Sequence, residues 1–76
     1  MKVEVYGPGC AKCRQSYDVI RKYLDEKGLA HEVVKIESID AMMALGILAT
    51  PAIVLDGKVV LKGRVPTTSD LQKLFG

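Results

Sequence analysis

Lys2-Val3-Glu4-Val5-Tyr6-Gly7-Pro8-Gly9-Cys10-Ala11-Lys12-Cys13 opens as an alternation of polar and apolar residues, breaks at Gly7-Pro8-Gly9, and runs into a closely spaced pair of cysteines. Alternation with period two marks a strand, and successive glycine and proline mark a turn. From Ala11 the period changes. Cys13, Tyr17, Ile20 and Leu24 recur at steps of four, three and four, one face of an amphipathic helix that Gly28 stops after Lys27. His31-Glu32-Val33-Val34-Lys35-Ile36 is rich in β-branched residues and reads as a second strand, one crossover helix from the first. That makes a βαβ unit with parallel strands.

Downstream, Ser38 can cap a second helix beginning near Ile39-Asp40 and running to Leu48. It is apolar nearly all round and therefore expected to be well buried. Thr50-Pro51 interrupts the chain. Ala52 to Leu55, then Asp56-Gly57, then Lys58 to Lys62 reads as strand, two-residue turn and strand, a strong hairpin signal. After Gly63-Arg64-Val65-Pro66, the hydroxyls of Thr67-Thr68-Ser69 can cap a last helix with Asp70 in its first turn and Leu71, Leu74 and Phe75 inward. The order is β-α-β-α-β-β-α, an α/β domain with a four-stranded mixed sheet flanked by three helices.

The chain has 76 residues, enough for one domain spanning 1–76, and 49% hydrophobic with 26% charged residues is the balance of a globular fold. The net charge is +2, with no basic run longer than Arg21-Lys22, so no nucleic-acid footprint is expected. The longest apolar stretch, Ala41 to Ala49, is far shorter than the ~20 residues of a membrane helix. Met1-Lys2-Val3-Glu4-Val5 becomes charged at once, with no apolar signal region. These features predict a cytoplasmic protein without membrane contact, and a monomer.

Cys10 and Cys13 are too few for the disulfide framework that staples small secreted domains. A bridge between them would close a loop worth roughly 2 kcal/mol, against more than ~4 for a long loop in the chain-entropy model. Such a pair is catalytic or metal-binding before it is structural. Cys10 falls at a helix N-terminus, where free backbone N–H groups favour a thiolate, and Lys12 and Arg14 add positive charge. Cys10 is the candidate nucleophile. Cys13, one turn on, is placed to attack a mixed disulfide intramolecularly and is the candidate resolving thiol. Two readings compete with this one: a metallochaperone-type domain holding soft Cu(I) on the same thiolates, and a redox-responsive interaction module. A closed zinc site needs four ligands, and the single histidine, His31, belongs to another strand, where it reads as a solvated residue.

Taken together, Tyr6-Gly7-Pro8-Gly9-Cys10-Ala11-Lys12-Cys13, Ala49-Thr50-Pro51-Ala52, the Asp56-Gly57 hairpin and Gly63-Arg64-Val65-Pro66 resemble the thioredoxin and glutaredoxin superfamily over essentially the whole chain. The resemblance is greatest to the small thioredoxin-like redox-active disulfide proteins of archaea and bacteria. It implies a cis bond at Thr50-Pro51, facing a Cys10–Cys13 disulfide, with Thr50 offering its backbone to an extended substrate segment. It also implies a thiol-disulfide oxidoreductase without bound cofactor, acting on disulfide-containing proteins and reset by an upstream reductase. Glu4, six residues before Cys10, stands at the offset of the family's buried acid and becomes a candidate proton relay. A solvated charge pair with Lys2 near the sheet edge accounts for it equally well. Tyr6 on the same face shields the disulfide or fills core, and core is the simpler reading.

The departures are informative too. Ala11-Lys12 stands between the cysteines where thioredoxins have Gly-Pro and many glutaredoxins Pro-Tyr, and Gly9 replaces a tryptophan. Gly63 is followed by Arg64 where glutaredoxins pair glycines to hold glutathione. Arg64 reads as a solvated side chain or as a contact for an acidic partner.

Overall fold

A computed structural model describes residues 2–76; Met1, the start of the N-terminal stretch read above, lies outside the described residues. The elements are β1 (Lys2–Tyr6), α1 (Ala11–Lys27), β2 (Glu32–Ile36), α2 (Ile39–Ala44), β3 (Ala52–Leu55), β4 (Lys58–Lys62) and α3 (Thr68–Phe75). They form a four-stranded sheet in the order β2-β1-β3-β4, with β1 parallel to β2 and antiparallel to β3.

The alternation in β1 divides the core in two. Val3 and Val5 face α1 and α3, where they pack with Ile20, Tyr23, Leu24, Ile53 and Leu71. Tyr6 faces the other way and packs with Met42, Ile47, Ala52 and Val54 under α2. Tyr6 is core, as expected. Val3, Ile20 and Ile53 are completely buried, and each such side chain contributes about 1.5–3 kcal/mol of transfer free energy. The buried stripe of α1 is Cys13, Ser16, Ile20, Tyr23 and Leu24. Tyr17 lies at its margin, with the Lys35 ammonium 5.0 Å from its ring centre.

Helix α1 ends as expected. Gly28 adopts φ +67°, and the Gly28 and Leu29 N–H groups donate back to Asp25 and Leu24 carbonyls, the paired bonds of a glycine-terminated helix. The hairpin also follows its sequence signal, with Asp56 at φ +49° and Gly57 at +85°, both in the left-handed region a tight hairpin turn needs. Beyond the turn Val54 faces Val59 but Ile53 faces Leu61, so Val60 bulges from the ladder and twists this edge strand.

The second helix departs from expectation. It stops at Ala44 because Gly46, at φ +70°, lets the Gly46 and Ile47 N–H groups return to the Met43 and Met42 carbonyls. Met42 and Ile47 are buried with Ala41 packed beside them, while Ile39, Met43, Leu45 and Leu48 are exposed, Leu48 at 95%. His31 precedes β2 and stacks on Phe75 with ring centres 5.6 Å apart. The sheet-edge account of Glu4 also gives way, because β1 lies inside the sheet and Glu4 sits between Val34 and Val54.

Arg64 turns out to serve α3. Its guanidinium makes a two-pronged contact with Asp70, and one prong, Nη2 to Oδ1, is 2.9 Å long. Asp70 meanwhile accepts from the Thr67 N–H at 2.9 Å while its own N–H donates to Thr67 Oγ1 at 3.2 Å, a reciprocal cap on the helix. The Arg64 hydrogen bond, then the Thr67 N–H, hold the Asp70 carboxyl well below the usual carboxylate range. A depressed folded-state pKa stabilises the fold above the unfolded value of ~3.9 and loses that contribution as pH falls through the folded value. Asp70→Asn is therefore expected to lower the melting temperature at neutral pH, with a difference from the parent that shrinks progressively below about pH 4. Melting curves from pH 2 to 7 check this, and a constant difference would contradict it.

Candidate active site

The Gly7 N–H donates to the Ile36 carbonyl at 3.0 Å, carrying the β1–β2 pairing one residue past Tyr6. Gly9, at φ +85°, then turns the chain into α1. Cys10 is the N-cap: its backbone is extended, its carbonyl accepts from Arg14 N–H at 3.0 Å, and its Sγ accepts from Cys13 N–H at 3.3 Å. Cys10 and Cys13 form a disulfide with Cα atoms 5.1 Å apart. The two sulfurs are not equivalent, because Cys10 is exposed and Cys13 is 4% exposed.

Two buried residues that the motif alone did not single out lie near the start of α1, and one of them, Gly7, packs against Cys13. Gly7 is buried against it so closely that a Cβ at residue 7 would overlap Cys13 Sγ and stand 3.0 Å from its Cβ. Ser16, completely buried, donates to the Lys12 carbonyl at 2.8 Å and satisfies its own hydroxyl inside the helix. In the sequence the glycine marks a turn, and the serine carries no signal beyond falling on the buried face.

Thr50 and Pro51 also approach Gly7. The same virtual Cβ lies 3.8 Å from Thr50 Cβ, and Tyr6 pairs with Ala52, so Gly7 and Pro51 follow one step beyond. The Thr50–Pro51 bond is cis, and the Pro51 carbonyl accepts from Gly63 N–H at 2.9 Å. Among the described residues no backbone hydrogen bond engages the N–H or carbonyl of Thr50.

Lys12 and Arg14 are exposed on the first turn of α1, which contains no acid. Glu4 is half-buried and accepts from the Tyr6 hydroxyl at 3.3 Å. Burial, followed by the Glu4 charge and this bond, raises the Tyr6 phenol above its ordinary value. Among the described residues Glu4 has no hydrogen bond to either cysteine. Nor do three or more His, Cys, Asp or Glu side chains cluster to hold a metal ion among them.

Comparison with known proteins agrees with this geometry. The family model described as "Thioredoxin domain" matches residues 1–76. The chain belongs to the thioredoxin family. Among curated proteins it is 32% identical over 75 residues to a protein named "Thioredoxin" from Methanothermobacter thermautotrophicus, covering 99% of this chain and 97% of that one. It is 28% identical over 71 residues to another "Thioredoxin", from Methanocaldococcus jannaschii, covering 93% of this chain and 81% of the relative. As a thioredoxin-family chain with a CxxC disulfide, it is a thiol-disulfide oxidoreductase.

Proposed function

We propose that this oxidoreductase reduces disulfides in partner proteins, with Cys10 as the attacking thiolate and Cys13 as the resolving thiol. The observation that carries the assignment is the asymmetry of the pair: an exposed Cys10 at the helix N-cap and a buried Cys13 behind it. Cys10 attacks one sulfur of the partner disulfide, and the other leaves as a thiolate that takes a proton from solvent. Cys13 then attacks Cys10 Sγ, releasing the second partner thiol and leaving the Cys10–Cys13 bridge. Two electrons have passed to the partner, and an upstream reductase returns them. The step needs no bound cofactor.

Thr50 and Pro51 receive the partner in this reading. The open main chain of Thr50 supports addition of an extended segment beside the sulfurs. Exposed Leu48 immediately upstream adds apolar surface suited to a protein partner. Lys12 favours the Cys10 thiolate, and Glu4, set within the sheet, relays a proton to or from the buried thiol. We place the protein in the cytoplasm as a monomer. Among the described residues no helix is long and apolar enough to cross a membrane.

Turnover is the test. With dithiothreitol as the resetting reductant, the protein is expected to accelerate reduction of the interchain disulfides of insulin well above the dithiothreitol rate. If it binds such a substrate without accelerating reduction, the disulfide is a binding switch and catalysis is excluded.

A further inference from the structure

The turn that presents Cys10 also carries an acid the exchange steps leave unused. A Cβ at Gly9 would stand 2.7 Å from Glu37 Oε2, so this carboxylate fills the space a side chain at residue 9 would take. Gly9 is bonded to Cys10. Strand pairing brings the acid there: Ile36 is tied to Gly7 at the end of the β1–β2 ladder, which sets Glu37 beside the turn from Gly7 to Gly9. Ser38 Oγ then accepts from Ala41 N–H at 3.2 Å and directs the chain away into α2.

The charges around Cys10 come from distinct elements. Helix α1 brings Lys12, Arg14 and its free N–H groups, all favouring a thiolate. The segment Ala49-Thr50-Pro51 brings no charge, and β1 brings a second carboxylate, Glu4, which accepts from the Tyr6 hydroxyl. The β2–α2 connection brings Glu37, whose negative charge disfavours a second one nearby. We propose that Glu37 counteracts Lys12, Arg14 and the helix end at Cys10, keeping the thiolate less stable and the protein a stronger reductant. This rests on Cys10 being the nucleophile. A destabilised thiolate means a destabilised reduced form, hence a more reducing couple. Glu37 is exposed, so its field acts largely through water and is worth about half a pKa unit, or about threefold.

Reduced Cys13→Ser protein carries a single thiol, and the pH dependence of its alkylation rate reports the Cys10 titration. At low ionic strength Glu37→Gln is expected to lower that midpoint by about half a unit, and Glu37→Asp, which keeps the charge, by less. In ~1 M salt, where the Debye length falls to ~3 Å, the glutamine variant and its parent should coincide. In the full chain, above the thiol pKa, Glu37→Gln should raise the disulfide midpoint by about 14 mV, the threefold change at ~29.6 mV per tenfold. Identical titrations at low salt would overturn the proposal, as would a difference that survives high salt. The exchange reading fails separately: in that case Cys13→Ser protein, with either residue at position 37, forms no mixed disulfide with insulin.

Discussion

Cys10→Ser is expected to abolish insulin reduction, returning the rate to that of the resetting thiol alone, while the fold melts as the parent's reduced form does. The reason is access: Cys10 is exposed at the N-cap and Cys13 is closed off beneath Gly7. With Cys10 gone the remaining thiol meets no partner. Cys13→Ser should behave differently, attacking normally and then stalling. Resolution by a neighbouring thiol draws on an effective concentration that millimolar external thiol cannot match, so release should slow by about 10³-fold or more. Non-reducing gels of protein mixed with insulin read both outcomes: a trapped conjugate with Cys13→Ser and none with Cys10→Ser. Equal trapping by the two variants would exchange or erase their roles.

Gly7→Ala should produce the next largest effect, on the disulfide itself. The new methyl group would overlap Cys13 Sγ, with Thr50 Cβ in contact beside it at 3.8 Å. Overpacking of this kind costs about 1–3 kcal/mol. In the reduced protein Cys13 can rotate away, whereas in the oxidised protein the bridge to Cys10 holds it. The penalty therefore falls mainly on the oxidised form, and the midpoint potential should rise by about 20–60 mV. Melting of the two forms gives an independent reading: the oxidised variant should lose about 4–8 °C per kcal/mol, and the reduced one distinctly less. Equal losses in both forms would show that Gly7 serves the fold alone.

Features fixed by a few neighbouring residues were legible: the Asp56-Gly57 turn, the Gly28 stop, the capping cluster Thr67-Thr68-Ser69 ahead of the last helix and the cysteine pair at a helix start. Gly46 was visible as well, but the apolar run around it outweighed its meaning as a helix stop, and the burial expected of Leu45 and Leu48 failed with it. Strand order was less accessible, because nothing local says that β1 is sandwiched between β2 and β3. Alternation alone therefore leaves Glu4 near an edge. The approach of Thr50-Pro51 was expected from family resemblance, since no spacing rule joins residues so far apart. Gly7 against Cys13 and Glu37 against Gly9 are contacts of side chain with backbone across a turn, and they leave no periodic trace.

Cys10 and Cys13 are expected to act as one two-electron couple that exchanges with partner disulfides. Its most direct test is to equilibrate the protein anaerobically against a graded thiol-disulfide buffer, quench with an alkylating reagent and count free thiols at each potential. Both thiols should titrate together, with a single midpoint between roughly −270 and −120 mV that vanishes in Cys13→Ser. Thiols that stay free at every potential, or that titrate one at a time, would contradict it.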